Sequence, residues 1–299
     1  QSGWQGQVSG AGGGHGFGRF RGNVSYGTDD RKYGFNTGVS RTIYTKGVDG
    51  NDDARNTNWQ GRFDAKPTTS TSISARFFLS NAFVKLNTDP DTFGILPPTN
   101  ATIVDAREGV NFVADADDPD RTQDSDFFNG QIVVNHAFNA KLDVQAYYSG
   151  LKTSRTNVNG PLGVGFQSEG TSIFDGQIHI ANARIRWTPN TSNTLTFGYE
   201  FEKEKFFNEG FTPDGIGDFF TRADQSSHTI FAQDLVILDD GRLQLAGGLR
   251  AQFFSLGVPG FSETNAPYEN LVLESPPSAV TLDGSASYYL SKSGTKLRT

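Results

Sequence analysis

The sequence predicts an all-β fold, an antiparallel transmembrane β-barrel, and three observations carry that reading. Apolar and polar residues alternate with period two over many segments and almost nowhere at the helical spacing of 3.6. Several of these segments run past ten residues, longer than the five or six typical of soluble sheets and sufficient to cross hydrocarbon at a tilt. Short polar turns alternate with long loops along the whole chain, so one rim of the sheet carries tight turns and the other carries loops.

Taken in order, about twelve strands are expected near residues 2 to 10, 18 to 27, 33 to 46, 57 to 66, 71 to 86, 127 to 138, 141 to 154, 177 to 188, 193 to 206, 227 to 238, 241 to 254 and 280 to 291. The alternation is cleanest where Trp59, Gly61, Phe63 and Ala65 oppose Asn58, Gln60, Arg62 and Asp64. Leu142, Val144, Ala146 and Tyr148 oppose Lys141, Asp143 and Gln145 in the same way. Leu195, Phe197, Tyr199 and Phe201 oppose Thr196, Gly198, Glu200 and Glu202, and Leu243 to Phe253 oppose Arg242, Gln244, Arg250 and Gln252. In 177 to 188 the apolar phase moves from Ile178 and Ile180 to Ala181, Ala183, Ile185 and Trp187, which predicts a bulge. Residues 227 to 238 are apolar on both faces near Val236 to Leu238. A thirteenth strand begins at Thr295.

Between the strands, Thr28 to Lys32, Pro67 to Ser70, Asn139 to Ala140, Pro189 to Ser192, Asp239 to Gly241 and Lys292 to Gly294 have the Asn, Asp, Gly and Pro content of turns. Long loops are expected near 47 to 56, 87 to 126, 155 to 176, 207 to 226 and 255 to 279. The Gly-rich Gly10 to Gly18 has no helix signal after it and reads as a hairpin connection, not a phosphate cradle.

Composition agrees. The 299 residues carry a formal net charge of -7, which argues against a nucleic-acid partner. No Cys is present, which excludes disulfides, thiolate metal sites and thiol nucleophiles. Only 35% of residues are hydrophobic and no run approaches about 18 apolar residues, so a helical membrane span is excluded. With 25 Phe and 35 Gly this is a poor recipe for a soluble core and an ordinary one for a sheet whose faces meet two solvents. Neither a signal peptide nor an initiating Met is present, so the expectation is a processed form or a fragment.

On this reading Arg62, Asp64, Arg76, Glu200, Glu202, Arg242 and Arg250 line a wet lumen. Trp4, Tyr26, Tyr33, Phe138, Trp187 and Tyr288, near strand ends, form the aromatic girdle of a membrane interface. A secreted all-β glycan-binding protein is the soluble alternative. A thirteenth strand in an open sheet leaves edge groups unpaired in lipid, so further chain is expected.

No enzyme is indicated, and no catalytic residue is assigned. His15, His136, His179 and His228 are scattered without metal-spaced partners, and no nucleophile-elbow or Walker pattern occurs. Two acidic clusters have the oxygen chemistry of a calcium site. Asp49-x-Asn51-x-Asp53 begins like an EF-hand loop but has Ala54 and Gln60 where Gly and Glu belong. The second cluster contains Asp115 and Asp117 and is interrupted by Pro119. Neither is an EF-hand, and solvated loop carboxylates are the plainer reading.

The opening run Gln7-Val8-Ser9-Gly10, Gly12 to Gly14 and Phe17 to Gly27, the turn Thr28 to Lys32, and Tyr33 to Gly47 resemble the first barrel hairpins of TonB-dependent outer-membrane receptors. The acidic loop Gly47 to Asp53 and Asn58-Trp59-Gln60-Gly61-Arg62-Phe63 continue the likeness, nearest to the cobalamin receptor branch. Ser285 to Ser291 and Gly294 to Arg298 are similar to the stretch before a Phe-Arg-Ala-Pro type motif of that family, which this chain lacks.

The resemblance implies a 22-stranded barrel around an N-terminal plug. Residues 1–299 would then be one partial barrel domain, with the plug and the C-terminal strands absent. It implies a bacterial outer-membrane location and import of a large scarce solute, cobalamin or an iron–siderophore complex, energised by the TonB complex through a plug outside this chain. The partners are then outer-membrane lipid and a bulky small molecule. Ligand contacts in such receptors come from loop tips and the upper lumen, which singles out the loop aromatics Phe93, Phe112, Phe166, Phe174, Phe211, Phe219 and Phe220. Calcium orders the loops of cobalamin receptors, which directs attention to Asp49, Asp52 and Asp53 first, then Asp115 and Asp117. A passive porin-like channel and a surface adhesin barrel are the alternatives.

Overall fold

The computed structural model describes residues 2–46, 53–86, 120–162, 169–262, 274–290 and 293–299. Among these residues fourteen strands form one sheet: β1 (Gly3–Gly12), β2 (Phe17–Gly27), β3 (Tyr33–Tyr44), β4 (Ala54–Ala65), β5 (Thr71–Lys85), β6 (Thr122–Asn139), β7 (Leu142–Asn159), β8 (Gly170–Trp187), β9 (Asn193–Phe211), β10 (Phe219–Leu238), β11 (Leu243–Leu256), β12 (Gly260–Phe261), β13 (Ala279–Leu290) and β14 (Thr295–Arg298). Each of β1 to β10 pairs antiparallel with the next in sequence, β11 pairs with β13, and β13 with β14. This is the up-and-down order of a barrel wall, with β1 and β14 at its two ends among the described residues.

Turn chemistry accounts for the short connections. In the β2–β3 turn the Thr28 hydroxyl donates to Asp30 Oδ1 at 2.6 Å, and the same oxygen accepts the Lys32 N–H at 3.0 Å. Asn190 Oδ1 accepts the N–H groups of Ser192 and Asn193 at the β8–β9 turn. At the β10–β11 turn Asp239, Asp240 and Gly241 all take positive φ, and Arg242 Nη2 donates to Asp239 Oδ1 at 2.5 Å.

Register assigns every side chain a face, because directly paired residues point the same way. One face carries Phe197, Ile230, Leu249 and Leu282, exposed by 46, 57, 46 and 80%. The other carries Gln60, Arg62, Glu200, Gln244 and Arg250. Among the described residues the only buried hydrophobic side chain is Ala65. A sheet that leaves its large apolar side chains outside and has no core of its own needs hydrocarbon against that face. The polar face is therefore the inner one.

Three departures from the sequence reading have physical causes. Strands β6 to β10 are 18 to 20 residues long and extend well into segments read as loops. About 9 to 11 tilted residues cross the hydrocarbon; beyond it both faces meet water and the alternation signal disappears. The phase change in β8 is not a bulge, for Gly170 to Trp187 pair without a register shift on β7, as do Thr171 to Trp187 on β9. Instead the outer face turns polar at Gln177 and Asp175 while Ile178 and Ile180 lie on the inner face, so the strand runs straight and its surroundings change. A register shift does occur between Ala137 and Asn139, beside the β6–β7 turn. The two-residue β12, which pairs with Thr221 and Arg222 of β10 past the break at Pro259, is too short for any periodicity.

The girdle expectation holds in position: Trp4, Tyr26, Tyr33, Phe138, Trp187 and Tyr288 all lie at the short-turn rim. Trp4 packs on Tyr26 at 4.9 Å and edge-on to Phe35 at 5.6 Å between ring centroids.

Candidate functional site

The inner face of the sheet is the candidate site, since it bounds whatever passes through or docks within the barrel. Its middle is ordered by a column of carboxylates on β9, where alternation places Glu200, Glu202 and Glu204 one above another. Glu200 Oε2 accepts from Tyr147 Oη and from Asn182 Nδ2, both at 3.0 Å, so strands on one side of β9 hold it. Glu204 Oε2 accepts from Gln225 Nε2 of β10 at 2.7 Å. Glu202 is between them, across from Ser227.

The wall formed by β2 to β5 has the opposite charge. Arg19 and Arg21 point inward from β2, and Arg62 and Arg76 are direct partners across β4 and β5. Arg62 grips Asp64 with two bonds of 2.7 and 2.9 Å, and Arg19 Nε donates to Thr42 Oγ1 at 3.3 Å. Lower down, Arg186 Nε donates to Asp143 Oδ2 at 2.7 Å. The inner wall is thus polar and carries both signs, with arginines in excess on β2 to β5, the carboxylate column on β9, and ion pairs at Arg62–Asp64 and Arg186–Asp143.

From the row of Glu204 upward the inner face becomes aromatic. Phe78 and Phe127 meet edge-on at 5.8 Å. Phe174 lies under the Arg155 guanidinium at 4.6 Å, both on the inner face by their direct pairing. Phe219 covers Gly210, where an added Cβ would run into its ring. Such rings beside guanidinium groups make a vestibule suited to flat, partly anionic molecules.

Of the aromatics singled out by sequence, Phe174, Phe211, Phe219 and Phe220 are on strands and not in loops. Register turns Phe174 and Phe219 inward and Phe211 and Phe220 outward. Phe220 instead stacks with Phe207 at 6.4 Å beside Arg222 on the outer face. Phe93, Phe112 and Phe166 lie outside the described residues. Phe78 and Phe127 were missed, although both lie inside the strands expected at 71 to 86 and 127 to 138, where alternation with Phe77 and Phe128 is the signal that puts them on the inner face.

Asp49, Asp52, Asp115 and Asp117 also lie outside the described residues. Asp53 is described, and its main-chain carbonyl accepts the Lys85 N–H at 2.8 Å. Among the described residues no group of three or more His, Asp or Glu is placed to hold a metal ion. The histidines have other roles: His136 bonds Thr71 at 2.9 Å, and His179 and His228 face outward.

Comparison with known proteins now bears on this wall. The family model described as TonB dependent receptor-like, beta-barrel matches residues 78–292. No curated protein matches the chain. Among solved structures, the ferripyoverdine receptor of the outer membrane of Pseudomonas aeruginosa superposes with a TM-score of 0.68 at 9% identity, covering 97% of this chain and 41% of that one. The open form of the ferric-catecholate import receptor Fiu from E. coli K12 gives 0.66 at 13%, covering 97% and 52%. The copper transporter OprC gives 0.64 at 12%, covering 99% and 44%. At these identities the likeness is one of fold, and the chain spans about half the length of the receptors it matches, or less.

Proposed function

The chain belongs to the TonB-dependent receptor-like β-barrel family, and from that premise we propose that it forms the lumen wall of a receptor importing a bulky metal chelate across the outer membrane. Proteins of this family are outer-membrane β-barrels. The observation that carries the proposal is the change along the inner face, from charged residues at mid-height to Phe78, Phe127, Phe219 and the Phe174–Arg155 contact from the row of Glu204 upward. Aromatic faces bury the apolar part of a chelate and the guanidinium meets its acidic groups. A ferric siderophore is the first reading of the ligand, supported by the ligands named for the receptors of like fold, and cobalamin is the second. The loop residues Phe93, Phe112 and Phe166 would complete the contact from above.

The carboxylate column and the arginines opposite it are the inner surface on which a plug would rest, with TonB acting through that plug. For calcium, Asp49, Asp52 and Asp53, with Asp115 and Asp117, remain the donors to test. A lone carboxylate such as Asp53 is too few for a cation that takes six to eight oxygens, so no step is assigned to the ion.

The test is uptake of radiolabelled ferric siderophores, and of labelled cobalamin in parallel, by cells making the intact receptor. Saturable accumulation of one class that stops when the inner-membrane proton gradient is collapsed supports the proposal. A steady conductance in planar bilayers without saturable uptake would make the protein a passive channel. Ligand or cell binding without accumulation would make it an adhesin.

A further inference from the structure

The inner wall of β1 to β4 is recessed above the short-turn rim. Two cavities, of about 450 and 550 Å³, lie one above the other there. Their linings take in every inward position of four successive rows of direct partners, from Ser9–Arg21–Ser40–Asn58 at the top to Gly3–Gly27–Gly34–Asp64 at the rim. None of these positions carries an aliphatic or aromatic side chain. At Gly3, Gly27, Gly34 and Gly38 there is no side chain at all, which is what sinks the wall.

Followed round the sheet, the same rows change character. The row of Gly38 and Gln60 reaches Phe78, then Leu151 and Ile178. The row of Asn36 and Arg62 reaches Ile180, and that of Gly34 and Asp64 reaches Val133 and Tyr147. On that side the polar groups are engaged with one another, Glu200 by Tyr147 and Asn182, and Glu204 by Gln225. In the recess the side chains of Gln5, Gln7, Asn23, Asn36 and Gln60 form no hydrogen bond among the described residues, and Arg21 forms no ion pair.

This difference decides where a body filling the lumen can seal. Branched and aromatic side chains pack dry against it, whereas a sunken surface of unpaired amides keeps its water. Amides bonded only to water exchange those bonds for a solute's at small net cost. The recess also ends on a cationic sill, for Arg31 and Lys32 of the β2–β3 turn and Lys66 of the β4–β5 turn line its lower cavity. Asp30 is 3.6 Å from Lys32 and Asp64 is held by Arg62, which leaves Asp29 of the turn against both Arg31 and Lys66. With Arg21 above and this excess below, the recess favours an anion.

We propose that the imported solute leaves the barrel along this recess, between the β1–β4 wall and the plug, as a polar anionic chelate passed from Arg21 and the free amides to the Arg31 and Lys66 sill. The inference rests on the import reading and adds to it the side of the lumen on which passage opens. A plug segment that fills the recess throughout is the competing occupant.

The test uses the intact receptor in cells, with single cysteines in place of Ser25 or Ser40 in the recess, or of Ser149, which shares the row of Ser25 but stands on β7. The chain has no cysteine of its own. A bulky, reducible methanethiosulfonate is added while the cells take up radiolabelled ferric siderophore or cobalamin. Modification at Ser25→Cys or Ser40→Cys should lower the maximal uptake rate about tenfold, with ligand binding at the cell surface unchanged, and reduction should restore the rate. The same treatment of Ser149→Cys should leave uptake intact. Ser25→Trp and Ser40→Trp, checked for folding by heat-modifiable gel mobility, should reproduce the loss without reagent. Equal loss at Ser149→Cys, full uptake by the modified or Trp recess variants, or recess cysteines that stay unreactive throughout uptake would overturn the proposal while import stands. No accumulation of any solute by the unmodified receptor would remove the import reading, and this inference with it.

Discussion

The Tyr148 hydroxyl lies 2.7 Å from Nδ1 of His179 on the lipid-facing surface, and one hairpin further along Tyr199 makes the same 2.7 Å bond to Nδ1 of His228. Both tyrosines are six residues above the start of their strands. The repeated pair marks a level at which polar outward groups must satisfy one another because water is scarce, and above it the outer face becomes polar.

If the pairs act in that way, Tyr199→Phe should cost about 1 kcal/mol, the usual net worth of one hydrogen bond. The same change in a His228→Leu background should cost much less. Denaturant unfolding of the intact receptor in lipid vesicles, arranged as a double-mutant cycle, measures the coupling. Additive costs would mean that the two side chains are neighbours only.

Charge should be punished on one face and tolerated on the other. Phe197 faces lipid near mid-band, so Phe197→Arg is expected to destabilise the barrel by about 2–4 kcal/mol. Gln244→Arg, facing inward at the next strand but one, should stay within about 1 kcal/mol, since the lumen side is wet. Equal costs in the same unfolding assay would contradict the assignment of faces.

Gly198 lies beneath the ring of its inward-facing partner Phe231, which an added Cβ would strike. Gly198→Val should therefore destabilise by about 1–3 kcal/mol, the range for overpacking. Phe231→Ala combined with it should recover part of that loss, read from the thermal midpoint of the folded band on gels.

Acid should loosen the β2–β3 turn. The Thr28 hydroxyl and then the Lys32 N–H hold the exposed Asp30 carboxyl below its ordinary value. A depressed folded pKa gives stabilisation that is complete above the unfolded value and is lost as pH falls through the folded one. Exchange protection of the Lys32 amide should therefore fall below about pH 4. In Thr28→Ala the fall should begin at a higher pH, and in Asp30→Asn the pH dependence should vanish.

Much of the wall was legible because period-two alternation is a local property. Leu195 to Phe201 and Leu243 to Phe253 announce an oily face whatever they pair with, and Asn190 and Asp239 announce their turns from side-chain chemistry alone. The signal failed where the surroundings change along a strand. Above the hydrocarbon, residues such as Phe174 and Phe219 sit in regular ladders whose two faces are both wet, so they read as loop.

By itself, then, the chain's order of residues determined an antiparallel barrel wall, its short-turn rim with Trp4, Phe138 and Trp187, and the polarity of its two faces. Only the tertiary structure decided that Phe174 and Phe219 turn inward while Phe211 and Phe220 turn outward. It also decided that Gly3, Gly27 and Gly34 share one row and that Tyr148 meets His179. Those are matters of register between strands distant in sequence, set by pairing across the whole sheet, and a one-residue slip would reassign every face.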